Sequence, residues 1–334
     1  MVGFVAPDDD LASNYAKAQS RSWSPDVQFD ETHHFFHRRP PRRSGVAVIS
    51  GGGAGHEPLH GGYVGMGMLD AACIGHVFSS PTPDRILAAM AHVDLGQGVV
   101  QIVKNYDGDV MNFEIAAELH PGEVRRVLVA DDVATIGSRR ADRGARGIAG
   151  TVIAERIAGA AAEEGLALDD VAAAGQRAAD QTRSIAVAWG GCTVPATGEP
   201  TFTLLPGEME YGVGIHGERG IARISVEPPD RMLSRMIDDV LDHLGPADPS
   251  RMIALVNGLG GITQLELGRA AQHAIEILSL RLGGAPACCL VGNYATALDM
   301  PGLSISLSAL DRSMFDLWNT PVSTPVLNWG KDHT

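Results

Sequence analysis

The 334-residue chain carries 40 acidic and 26 basic side chains, a formal net charge of −14. That balance argues against nucleic acid or an anionic membrane as partner, since both select basic surfaces, and no apolar run approaches the roughly 20 residues that cross a bilayer. With 45% hydrophobic and 20% charged residues the composition is that of an ordinary globular protein, and the length exceeds what one core normally supports, so two domains are expected.

The N-terminus opens on the acidic Asp8-Asp9-Asp10 rather than a cationic and then apolar signal, which predicts a cytoplasmic protein. Residues 1–45 read as a segment draped over the first domain. Within it, His33, His34 and His37 lie close together, but no carboxylate or cysteine stands at ligand spacing, so 33–43 reads as a solvated, partly extended connector and no metal site is expected. Cys73, Cys192, Cys288 and Cys289 likewise show no metal-ligand spacing and read as small buried hydrophobes.

The chain is organised around the stretch that follows. Val46 to Ser50 form a buried strand that runs into Gly51-Gly52-Gly53-Ala54-Gly55-His56-Glu57-Pro58, and eight of the seventeen residues from 51 to 67 are glycine. So little side chain frees the backbone for positive φ and lets a small ligand lie against its N–H groups. It is not a nucleotide loop: no Gly-Lys-Ser/Thr follows, and Pro58 stands where a dinucleotide fingerprint has its third glycine. In place of those groups the loop carries His56 and Glu57.

Helical spacing over 84–92, a β-branched strand at 98–103, a helix at 111–119 and a strand at 124–130 then alternate, which predicts a parallel sheet with helices on its faces. Ligands of such sheets collect at the carboxyl ends of strands, here the loops 51–55, 104–109 and 131–132. An alanine-rich helix at 146–162 is followed by a polar segment, 163–182. The texture changes near Ser184, giving domains 1–184 and 185–334. The second domain also reads as α/β, with strands at 201–205, 251–256, 288–291 and 304–307 and helices at 232–244 and 263–280. Its punctuation is the hairpin-like Gly212-Val213-Gly214-Ile215-His216-Gly217-Glu218, where glycines leave the imidazole of His216 open.

Residues 50–58, the turn Pro81-Thr82-Pro83-Asp84, Lys104-Asn105-Tyr106 through Gly108-Asp109, 147–159, 212–218, Asn257-Gly258-Leu259-Gly260-Gly261 and the tail Thr324-Pro325-Val326-Leu327-Asn328-Trp329-Gly330-Lys331 together closely resemble the substrate-binding subunit of the dihydroxyacetone kinase family. The likeness runs from about Val46 to the end. It implies a three-layer α/β/α, mostly parallel domain followed by an α/β domain with a mixed sheet, the Dak1/DegV-like arrangement. It implies a homodimer that binds a short ketose and carries no cofactor of its own, with ADP or ATP and magnesium on a separate subunit. The stand-alone form further suggests a phosphotransferase relay fed by phosphoenolpyruvate through a phosphocarrier.

By the same resemblance, His216 adds covalently to the ketone as a hemiaminal, a means of anchoring a molecule too small to be held by contacts and of rejecting glycerol. His56 serves as general base and Asp109 orients the reacting hydroxyl, roles that are interchangeable. Gly53, Ala54, Gly55 and Lys104 line the pocket. Glu57 and Glu218 are read as capping or supporting residues, and His60, His76, His92 and His120 as simply satisfied histidines. Ala54 replaces the serine usual in close relatives, which bears on the ketose chosen, erythrulose included. A non-enzymatic ketose sensor that acts as a transcriptional coactivator is the alternative, disfavoured because His56, Asp109 and His216 are all present.

Overall fold

The computed structural model describes residues 10–42, 44–136 and 144–330. Asp8, Asp9, Arg43 and the tail residue Lys331, named above, lie outside them. The chain forms two compact units that interleave along the sequence: 10–129, 151–179 and 313–330 make the first, and 130–150 with 180–312 the second. A single boundary near residue 184 does not express this interleaving.

The first unit opens with α1 (Leu11–Ser22), capped by the Asp10 carboxylate, which accepts from the Ser13 amide. A hairpin of β1 (Val27–Asp30) and β2 (Phe35–Arg38) follows, then β3 (Ala47–Ala54), β4 (Ala71–Val77), α2 (Pro83–Val93), β5 (Val99–Lys104), α3 (Asp107–Leu119) and β6 (Val124–Val129). The sheet order is β1-β2-β4-β3-β5-β6, with β4, β3, β5 and β6 parallel and the hairpin added antiparallel at one edge. The N-terminal segment is therefore part of the sheet rather than a drape over it. The expected connector at 33–43 is corrected too, because Phe35 and Phe36 are buried and their apolar area holds β2 against β4.

Alternate residues of β3 and β5 face opposite layers. Ile49, Val99 and Val103 pack with Ile86, Met90 and Phe113 of α2 and α3. Ser50 and Ile102 face the other layer, α4 (Thr151–Glu163) and α5 (Leu168–Asp180). The segment 163–182 is thus not merely polar: Val171, Ala174, Gly175, Ala178 and Ala179 form a buried stripe on α5, and Gly175 admits Ala158 of α4 and Val127 of β6 to close contact. The last segment, 313–330, opens within the helix Arg312–Trp318. Buried Arg156 of α4 donates to the carbonyls of Gly67, Leu317, Trp318 and Thr320 at 2.5–3.0 Å, tying this segment to the glycine-rich stretch.

In the second unit, β7 (Thr182–Ala188), β8 (Glu208–Tyr211), β9 (Ala222–Ser225), β10 (Met252–Gly258), β11 (Cys288–Gly292) and β12 (Gly302–Ala309) pair in the order β11-β10-β12-β7-β8-β9. Only β10 and β11 run parallel, so the sheet is mixed as expected. Helices α6 (Pro229–Leu244) and α7 (Gln264–Leu282) cover one face over Met232, Met236, Ile237, Leu267 and Leu278. The strand expected at 201–205 does not form. Pro200 and Pro206 bracket it and cannot donate to a ladder. Among the described residues no helix is long and apolar enough to cross a membrane.

Candidate active site

The glycines at the end of β3 make room for other side chains. A Cβ on Gly52 would lie 2.4 Å from Lys104 Nζ, and one on Gly53 2.6 Å from the Ser79 amide nitrogen. Between Gly53 and Ala54 the register against β4 shifts, and Gly55 takes a φ of 102°, open to glycine but not to a side chain without strain. The Gly55 amide donates to the Glu57 carboxylate at 3.0 Å, so Glu57 ties the turn, as its supporting reading requires. No α-helix begins at this loop; the chain passes through the short 3₁₀ turn Gly61–Tyr63 to β4. The helix N-terminus that phosphate loops aim at their anion is missing, in keeping with the incomplete nucleotide motif.

Side chains from two separate stretches of the sequence, residue 56 and residues 104–109, come together at that loop. His56 is buried and stacks on Phe78, ring centroids 5.3 Å apart. Lys104, at the carboxyl end of β5, is fully buried, with Nζ 3.3 Å from the Gly51 carbonyl oxygen and 3.4 Å from Asp109 Oδ2. Asp109 sits in the first turn of α3, where the helix dipole favours its charge, and accepts from the Ser80 hydroxyl. Gly53, Ala54, Gly55, His56, Lys104 and Asp109 are all carried by the first unit.

The convergence also includes residues that sequence reasoning set aside or missed. His60 is buried and near both Lys104 and Glu155: its Nε2 lies 2.8 Å from Lys104 Nζ and its Nδ1 2.5 Å from Glu155 Oε1. Ser50 Oγ is 3.0 Å from the same Nδ1 and donates to the Ile102 carbonyl. Burial holds the His60 imidazole well below its ordinary range, reinforced by the Lys104 and His56 charges. Burial pushes the Glu155 carboxyl up to about 8 against the opposing pull of a Ser50 hydrogen bond and the Lys104 charge. The adjacent charges Glu155-Arg156 in the middle of a helix made mostly of small and apolar residues were the sequence signal for Glu155; Ser80 had none.

His216 is carried by the second unit, in the loop that joins β8 to β9, so the hairpin-like reading of 212–218 holds. Its side chain is 18% exposed, its amide donates to Glu218 Oε2 at 2.8 Å, and its Nδ1 stands 3.7 Å from Glu218 Oε1. Burial works against ionising Glu218, but the His216 hydrogen bond and charge and the Arg146 charge prevail and hold it at about 2. The same unit contains 131–132. Asp131 accepts from the amides of Ile148 and Gly150, and Asp132 pairs with Arg146, which donates to the Gly212 carbonyl. Through Arg146, Asp132 braces the loop of His216, while Asp131 holds the backbone at 148–150, so both carboxylates are engaged within the unit.

A protein-family model described as the Dak1 domain matches residues 19–326. The chain belongs to the Dak1 family. This Dak1 protein is 44% identical over 313 residues to the dihydroxyacetone-binding subunit DhaK of the PEP-dependent dihydroxyacetone kinase of Escherichia coli, covering 86% of this chain and 87% of that one. Among solved structures, the dihydroxyacetone kinase operon co-activator DhaQ aligns with a TM-score of 0.89 at 29% identity, over 95% of this chain and 98% of that one. The C. freundii dihydroxyacetone kinase in complex with AMP-PNP and Mg2+ aligns with a TM-score of 0.88 at 33% identity, over all of this chain and 62% of that one. A DegV family protein from Thermus thermophilus, at 14% identity and a TM-score of 0.51, shares the fold. Both expected sheets, the mostly parallel one of the first unit and the mixed one of the second, are present.

Proposed function

We propose that this Dak1 protein is the ketose-binding subunit of a dihydroxyacetone kinase. The observation that carries the reading is the buried cluster of Lys104, Asp109 and His56 at the glycine-lined end of β3, in a chain that matches the DhaK subunit over most of its length. Glu218 faces the ring and favours the tautomer with hydrogen on Nδ1, which leaves the lone pair of His216 Nε2 to add to the ketone carbon; the carbonyl π bond breaks, the oxygen takes up a proton and the ring gives up its Nδ1 proton, so the product is a neutral hemiaminal. Gly53 to Gly55 and Lys104 hold the ketose. Its terminal hydroxyl loses a proton to His56, with Asp109 orienting it or exchanging roles, as the oxygen attacks phosphorus.

The phosphoryl group comes from a nucleotide on a partner subunit, with magnesium there and a phosphoenolpyruvate-fed phosphocarrier behind it. Most of the rate comes from aligning the alcohol with that donor. The chain acts as a cytoplasmic homodimer, and erythrulose is the second ketose to try because of Ala54. The test is formation of dihydroxyacetone phosphate when this chain is mixed with a nucleotide-bearing subunit, under ATP and under the relay, for wild type and His216→Ala. Turnover that needs the second subunit and is lost in the variant supports the reading. The co-activator alignment favours a second reading, a ketose sensor without transfer; ketose binding that depends on His216, with no turnover under any donor, selects it.

A further inference from the structure

Lys104, His60 and Glu155 form a chain buried from end to end: each of the three side chains is at most 2% exposed. The elements that carry them are β5, the loop after β3, and α4, and the groups packed around them are Asp109 of α3, His56, Ser50 and the Gly51 carbonyl. Gly52 exists to let the chain pass, since a Cβ there would meet Lys104 Nζ at 2.4 Å and His60 Nε2 at 3.2 Å.

The donor inventory restricts how this chain is filled with hydrogen. An ammonium donates only, so opposite a charged Lys104 the Nε2 of His60 accepts, and the neutral ring carries its hydrogen on Nδ1, toward Glu155 Oε1. The second filling has the same number of protons. One moves from Lys104 Nζ to His60 Nε2 while another leaves Nδ1 for Glu155, and the ion pair becomes an amine and a carboxylic acid with nothing taken from solvent. Glu155 Oε2 is buried without a hydrogen-bond partner among the described residues, which disfavours the carboxylate and brings the two fillings closer in energy.

We infer that His60 and Glu155 are positioning residues of the pocket, which aim Lys104 at Asp109 and share a proton with it along this chain. The consequence for catalysis rests on the ketose-kinase reading; the shared proton does not. As Asp109 or His56 takes up the hydroxyl proton, the charge that holds Lys104 as an ammonium weakens. The shared proton then moves toward Glu155, so the pocket changes its charge without exchanging water.

The chain has only Lys17, Lys104 and Lys331, so the 15N resonance of each lysine Nζ is assignable by single substitution. The experiment follows the pH titration of the Lys104 Nζ resonance in the intact protein, for wild type, Glu155→Gln and His60→Gln, alongside calorimetric binding of dihydroxyacetone. Glu155→Gln removes the acid at the far end and His60→Gln the ring that links it to Lys104, so in each variant the Lys104 midpoint should move to lower pH than in wild type, and the pH profile of ketose binding should move the same way. A role confined to packing would change thermal stability and leave the Lys104 midpoint in place. Identical midpoints in all three proteins overturn the inference, and Glu155→Gln decides alone if His60→Gln does not fold. Shifted midpoints with no ketose bound by wild type keep the shared proton and sink the kinase reading instead.

Discussion

At Asp109, a single hydroxyl decides how the carboxylate faces the pocket. Ser80 donates to Oδ1 while Lys104 approaches Oδ2, so the two oxygens are held by groups from different elements. Ser80→Ala removes one of them. A hydrogen bond to a charged group contributes about 1.5–3 kcal/mol, so kcat should fall about 10- to 100-fold with a smaller change in KM. Turnover within about twofold of wild type would mean that Lys104 alone orients Asp109. His56 and Lys104 stand out in the sequence by their frames, glycines for the one and the end of an apolar strand for the other, whereas Asp109 was named through the family resemblance, since the helix it opens was expected only from 111. His60, Glu155 and Ser80 were not legible as part of the site, since Glu155 lies 95 positions from His60 and Ser80 29 from Asp109, and no local pattern links them.

Among the elements, α4 bears the most. Its adjacent Glu155 and Arg156 are both fully buried yet serve opposite ends: the first reaches the pocket, the second the carbonyls of Gly67 and of 317–320. Arg156 also lies 5.5 Å over the ring of Trp329, and burial lowers its guanidinium to about 10. Arg156→Ala leaves several carbonyls without a donor at about 1–3 kcal/mol each, so we expect at least about 3 kcal/mol of destabilisation in urea unfolding. A loss under about 1 kcal/mol would show that water replaces the guanidinium. The alternation of strands and helices in 84–130 was readable from hydrophobic period alone. Strand β4 (Ala71–Val77) and helix α5 were not, because β4 is buried continuously from Ala71 to Gly75 and so shows no alternation, and the buried stripe of α5 is built mostly from alanine and glycine, which weigh little as hydrophobic residues.

For the whole molecule, buried ionisable groups make stability depend on pH in opposite directions. Glu155 is raised from 4.5 to about 8, so its contribution is full below about 4.5 and lost as pH climbs toward 8; Asp132, raised from 3.8 to about 6, behaves alike over its own range. Glu218, lowered to about 2, contributes above 4.5 and loses that contribution as pH falls. His60, lowered from 6.5, does the same below 6.5, so the Glu155 effect is best read above that value. Between pH 6.5 and 8, Glu155→Gln should flatten the decline in unfolding free energy by up to about 1.4 kcal/mol per pH unit, the slope of one proton. Parallel curves for the two proteins would place the ionisation elsewhere.

The interleaved path of the chain bears on how the protein is made. Residues 10–129 and 151–179 leave the ribosome long before 313–330, and until those last residues arrive Arg156 has only Gly67 to hold and a buried charge otherwise unmet. Domains generally form as units during synthesis, first part first. Here the first unit is completed last, so the nascent chain carries it open while the entire second unit is translated.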